Sequence, residues 1–145
     1  MTALALAPSE LKSIVDEVWG SLLNPTPVDA EHLEVDSDLV AGYVEISGGW
    51  FGRVSVETTD EGAFALASQM LDVPVDDLSD ADLVDAVGEL ANIVGGSVKS
   101  CVEGHSTLSL PAVARAESEG RLNLTMQVVS RWLEHPLRVR VLSAA

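Results

Sequence analysis

The stretch 82-DLVDAVGELANIVGGSVKSCV-102 decides the fold of this 145-residue chain. Stepped through at about 100° per residue, it gathers Leu83, Val87, Leu90, Ala91, Val94 and Val98 on one side, the pattern of a core-facing helix. Asp85, Glu89, Asn92, Gly96 and Lys99 fall on the opposite side as a continuous polar face. Gly88, Gly95 and Gly96 lie inside the helix, each costing roughly 1 kcal/mol relative to Ala, so close approach is expected somewhere along it. For Gly88 and Gly95 the expected neighbour is a packed element of the same chain. Gly96, one turn after Asn92, is a bare backbone patch that a partner's backbone could approach.

Working outward, the acidic run Asp76-Asp77-Leu-Ser79-Asp80-Ala-Asp82 puts carboxylates at the positive end of the helix dipole, with Ser79 the expected N-cap. It lacks the Gly and terminal Glu spacing of an EF-hand, so capping explains it better than metal binding. Upstream, Leu39 to Ser47 alternates Gly42, Val44 and Ile46 with Tyr43, Glu45 and Ser47, Gly48-Gly49 signals a hairpin, and Trp50 to Thr58 alternates again. These two runs are expected to pair antiparallel, with Phe51, Val54 and Val56 in the core. A helix over about Glu61 to Leu71, capped by Thr59 or Asp60 and ended by Asp72-Val-Pro74, turns Phe64, Ala65, Ala67, Ser68 and Leu71 inward. Near the start, Ser9 is the expected N-cap of a helix from Glu10 to Leu23, which Asn24-Pro25-Thr26-Pro27 stops.

Downstream, three strands are expected: about Thr107 to Glu117, Asn123 to Trp132 and Leu137 to Ser143, separated by Ser118-Glu-Gly120 and His135-Pro136. Leu124, Met126, Val128, Val139 and Val141 alternate with polar neighbours, as in a sheet buried on one face. Helices on an antiparallel sheet make an α+β, two-layer α/β domain spanning residues 1–145. The final strand, Arg138 to Ser143, could lie at an edge and pair with a second subunit, giving a homodimer.

Composition bounds the function. With 47% hydrophobic and 4% aromatic residues the core is built from Val, Leu, Ile and Ala. A net charge of −15 argues against nucleic acid or an anionic membrane as partner, since phosphates demand clustered Lys and Arg. Arg115, Arg121, Arg131, Arg138 and Arg140 concentrate late in the chain; as strand residues they are expected to form a solvated face, with a docking patch for an acidic partner as the lesser reading. Cys101 is the sole cysteine, so no internal disulfide forms. MTALALAPSE lacks a basic n-region and an adequate h-region, and no run of about 18 apolar residues occurs, so a cytoplasmic protein is expected. His32, His105 and His135 are scattered without a second ligand at metal spacing, no Gly-x-Ser-x-Gly elbow occurs, and no Gly-rich loop follows a strand. No cofactor or metal site is expected.

Glu89 and Asn92, three apart, project side by side from one helical surface. From spacing alone, ordinary solvated side chains are the commoner reading. The run Asp85-Ala-Val-Gly-Glu89-Leu-Ala-Asn92-Ile-Val-Gly-Gly96 resembles the motif of the CheC/CheX/FliY chemotaxis phosphatases: Asp or Ser, three residues, Glu, two residues, Asn, in a long helix. Chain length, element order and Leu110-Pro111 after the helix extend the likeness over nearly the whole chain. The resemblance implies a CheC-like fold and hydrolysis of the aspartyl phosphate on a CheY-type response regulator, with Mg²⁺ supplied by the partner receiver domain. It gives Asn92 the role of holding the attacking water and Glu89 that of engaging the receiver's lysine. Asp85, Gly96 and Lys99 become partner-binding positions. Some relatives carry a second motif on the first helix, but here Glu10-Leu-Lys-Ser13 ends in Ser, so the likeness is to the single-site CheX type. The alternative is a CheX-like scaffold that recognises a regulator or another signalling protein without accelerating hydrolysis.

Overall fold

The computed structural model describes residues 4–33, 38–115 and 122–144. In chain order the elements are α1 (Pro8–Leu22), β1 (Val28–Asp29), β2 (Val40–Gly48), β3 (Gly52–Thr58), α2 (Asp60–Leu71), a 3-10 turn (Val75–Asp77), α3 (Asp80–Lys99), β4 (Ser106–Leu108), β5 (Ala112–Arg115), β6 (Leu122–Trp132) and β7 (His135–Ala144). The strands form one seven-stranded sheet in the order β1-β6-β7-β3-β2-β4, with β5 also on β2, and every pairing is antiparallel. The domain is thus α+β, as the sequence led us to expect.

The helices share one face of the sheet. α3 lies across β2 and β3, α1 reaches α3 and β6, and α2 packs on α3 and β7. Between the layers Val44, Val54, Val56, Val139 and Val141 meet Leu90, Ala91, Val94 and Val98 of α3 and Leu11, Val15 and Trp19 of α1. Val54 and Val56, like Val139 and Val141, are two residues apart on their strands and so share the pleat face turned to the helices, where β-branched side chains pack well.

Several boundaries differ from expectation. α1 begins two residues earlier, with Ala7 as N-cap: the Glu10 carboxylate accepts from the Ala7 backbone N–H at 2.9 Å, and Ser9 lies inside the first turn. α3 ends at Lys99, and Val102 instead bridges Leu4. On α2 the buried residues are Gly62, Ala63, Leu66 and Ala67, so Leu71, expected inward, is 42% exposed. Phe51 is 59% exposed, because the strand starts only at Gly52 and Phe51 belongs to the turn. Leu124 is 53% exposed: the register shifts between Leu124 and Met126, which turns Leu124 to the opposite side of the sheet from the core-facing residues that follow.

The strand expected over Thr107 to Glu117 is split. Ser109-Leu110-Pro111 separates β4 from β5, since Pro111 has no N–H to offer a ladder, and Ala116 and Glu117 lie outside the described residues. The β6–β7 hairpin turns at Leu133 and Glu134, both with positive φ (48° and 68°), a two-residue geometry matched to strand twist. His135 and Pro136, expected as the break, open β7.

β7 is bonded to β6 on one side and β3 on the other. The expected edge position of Arg138 to Ser143 is therefore wrong, and β7 offers no free side for a second subunit. The arginines of this strand are not a solvated face either. Arg138 and Arg140 converge on Glu57, which is 1% exposed, with Arg140 at 7%.

Candidate functional site

The site is built on α3, whose start is fixed by a reciprocal cap. The Asp82 N–H donates to Ser79 Oγ at 3.2 Å, and the Ser79 N–H donates to Asp82 Oδ2 at 2.9 Å. Two orphan donors of the first turn are thereby satisfied. The buried stripe Leu83, Ala86, Val87, Leu90, Ala91, Val94 and Val98 fixes the rotation of the helix about its axis. That rotation decides which residues face solvent.

Asp85 and Glu89 are exposed, and Asn92, Gly96 and Lys99 are half-buried along the same outward face. All five expected positions therefore share one surface. The Glu89 carboxylate and the Asn92 carboxamide, whose Cβ atoms are about 5–6 Å apart by helical geometry, have no hydrogen bond or ion pair with any described residue. A carboxamide both donates and accepts, so this pair is free to bind an external group without breaking an internal one.

The glycines divide as their surroundings dictate. A Cβ on Gly95 would sit 2.2 Å from Val44 Cγ2, so only glycine fits there. At Gly88 the nearest atoms, on Pro111 and Val113, are 3.6 Å away, an ordinary packing distance. At Gly96 nothing lies within 4 Å. The fold itself gives no steric reason for that glycine.

The corresponding pair on α1 is occupied. Glu10 is taken up in the Ala7 cap, and Ser13 Oγ donates to the Ser9 carbonyl at 3.1 Å. The polar face thus carries one site, on α3. Ile93 and Ser97 continue it into a shallow groove of about 270 Å³ whose far wall is Ile14, Val18 and Leu22 of α1. Spacing from Glu89 at i+4 and i+8 reaches Ile93 and Ser97, but the α1 wall is a tertiary feature that spacing does not show. Leu110, 89% exposed, stands on the loop whose Pro111 borders Gly88.

Among the described residues no group of three or more His, Cys, Asp or Glu is placed to hold a metal ion. Among them, too, no helix is long and apolar enough to cross a membrane.

The fold recurs in solved structures. A chemotaxis protein CheX from Desulfovibrio desulfuricans superposes with a TM-score of 0.70 at 19% identity, covering 92% of this chain and 96% of that one. Chemotaxis protein CheX from Vibrio vulnificus gives 0.71 at 16% identity over 97% and 96%. The CheX–CheY–BeF₃–Mg²⁺ complex from Borrelia burgdorferi gives 0.70 at 15% identity over 94% and 97%. No curated protein sequence matches the chain. The family profile described as chemotaxis phosphatase CheX matches residues 40–129, which run from the first long strand through the α3 face into β6. The chain belongs to the chemotaxis phosphatase CheX family.

Proposed function

We propose that this protein hydrolyses the aspartyl phosphate of a CheY-type response regulator, with Asn92 and Glu89 reaching into the receiver's phosphorylated pocket. The observation that carries the reading is the pair itself: two polar side chains, adjacent on a rigid helix, outward-facing and without partners in their own fold. Membership of the CheX family supports it, as does the fold shared with a CheX captured with CheY, BeF₃ and Mg²⁺.

The chemistry suits these residue types. Water attacks phosphorus in line, the bond from phosphorus to the aspartyl oxygen breaks, and inorganic phosphate and a free carboxylate leave with the water's proton passing to phosphate or solvent. An acyl phosphate is already reactive, so positioning and charge stabilisation carry most of the rate. The Asn92 carboxamide accepts from the water and donates toward a phosphoryl oxygen, orienting the nucleophile without acting as a base. Glu89 pairs with the receiver's lysine and fixes the approach. Asp85 and Lys99 are peripheral docking contacts, Gly96 allows close backbone approach, and Mg²⁺ belongs to the receiver.

The test mixes the purified protein with a phosphorylated receiver and Mg²⁺ and follows phosphate release for the parent, Asn92→Ala and Glu89→Ala. Loss of the added turnover in Asn92→Ala with binding retained is the expected result. An Asn92→Ala protein as fast as the parent would falsify the assignment. A parent that binds the receiver without accelerating its decay makes the protein a recognition scaffold instead.

A further inference from the structure

We propose that Leu110 is an apolar anchor for the receiver, completing the docking surface whose polar centre is Glu89 and Asn92; the inference rests on the receiver reading above. At 89% exposure, Leu110 is the most exposed large hydrophobic side chain among the described residues. Single exposed leucines are common and need no explanation. What distinguishes this one is its mounting.

The residue before it is pinned to β2 twice: the Ser109 N–H donates to the Glu45 carbonyl at 2.8 Å, and the Glu45 N–H donates to Ser109 Oγ at 2.8 Å. Ser109 Oγ also donates to the Leu110 carbonyl at 3.0 Å. The residue after it, Pro111, has its φ fixed by its ring and rests against α3 at Gly88. Leu110 is therefore held out between two anchored neighbours. Much of the ordering cost that a flexible loop meets on binding is already met in the free protein.

Gly88 directly precedes Glu89 and lies one turn before Asn92. The loop that carries Leu110 therefore meets α3 on the flank away from the α1 groove, at the turn that precedes the polar pair. A polar centre flanked by a fixed apolar side chain is the anatomy of a protein-docking surface, and it fits a partner that offers an apolar patch beside a charged pocket. Burial of one leucine corresponds to about a ten- to hundredfold change in affinity.

The experiment uses the full chain and CheY-type receivers from its own genome, phosphorylated by a small phosphodonor with Mg²⁺. For Leu110→Ala and Leu110→Asp the expected result is a KM for phosphorylated receiver raised about tenfold or more, with kcat changing far less, because an anchor remote from phosphorus contributes equally to ground and transition states. Affinity for the beryllofluoride-activated receiver falls by the same factor. Unchanged KM and unchanged affinity overturn the proposal, and so does a variant that only loses self-association in sedimentation. Failure of the catalytic reading is separable: a parent that binds but does not hydrolyse leaves Leu110 to be judged by affinity alone. A parent that binds no receiver removes both.

Discussion

Val44 of β2 occupies the volume that a side chain at Gly95 of α3 would need, its Cγ2 lying 2.2 Å from the Cβ position of residue 95. The relation is reciprocated about two turns away, where a Cβ on Gly42 of β2 would meet the Val87 carbonyl at 2.6 Å. Each element offers a glycine to the other's valine. Helix and strand therefore approach closely at two points, and the outward angle of the Glu89–Asn92 face follows from that seating.

Gly95→Ala is accordingly expected to destabilise the fold. Overpacking a buried contact costs about 1–3 kcal/mol, which outweighs roughly 1 kcal/mol gained in helix propensity. Thermal or urea denaturation checks the sign. Combined with Val44→Ala, which vacates the space, the loss should be smaller than the sum of the single losses.

Gly96→Ala is expected to behave oppositely, although its neighbour in sequence is Gly95. Nothing lies within 4 Å of its Cβ position, so the helix gains up to about 1 kcal/mol and the melting temperature rises. If the receiver's backbone comes down on this patch, the same methyl group lowers kcat/KM. A more stable but less active protein is the expected outcome, read by calorimetry and phosphate release on one preparation. Equal activity would remove Gly96 from the docking surface.

The sequence made local features legible and hid those set by pairing. The outward face of α3 was readable because helical period alone sorts Leu83, Val87, Leu90 and Val94 from Asp85, Glu89 and Asn92, and the buried stripe matches. The alternation of β2 survives as buried Gly42, Val44 and Ile46. Leu124 was misplaced because the bulge before Met126 inverts the parity of β6, and no local signal marks the extra residue. Ser9 lost the cap to Ala7 because Glu10 reaches back to a backbone N–H, satisfying it without a capping side chain at the N-cap. The central placement of β7, and with it the burial of Arg140, depends on a partner strand about eighty positions earlier in the chain, a pairing that periodicity cannot express. Leu110 was hidden for a related reason: only the break between β4 and β5 turns it outward.

Glu57 is the anchor of the polar side of the sheet. Its Oε1 accepts from Arg138 Nε at 2.7 Å, and its Oε2 accepts from Arg140 Nε and from Ser55 Oγ, both at 2.6 Å. Glu57→Gln removes the carboxylate charge on which Arg138 and Arg140 converge and turns an amide N–H₂ toward their donors. A loss of about 3–5 kcal/mol is expected, the cost of breaking a buried pair from one side. Replacing Glu57, Arg138 and Arg140 together by apolar residues of similar volume should cost far less. Denaturation midpoints of the single and triple variants decide between these outcomes.

Asn92→Asp is the sharpest test of the chemistry, because it conserves shape and changes only charge and donor capacity. Asn92 is half-buried, on an outward helix face, without a partner among the described residues, so the substitution should leave the unfolding free energy within about 0.5 kcal/mol of the parent's. A general base at this position would work better as a carboxylate. A water-orienting amide works worse, since the carboxylate repels the phosphoryl oxygens and lacks the N–H that faces them. Turnover of phosphorylated receiver by Asn92→Asp is therefore expected to fall by about 10²-fold or more, with no recovery at higher pH. Activity that persists, or that rises with pH through the carboxylate range, would assign residue 92 to proton transfer and replace the positioning mechanism with general-base catalysis.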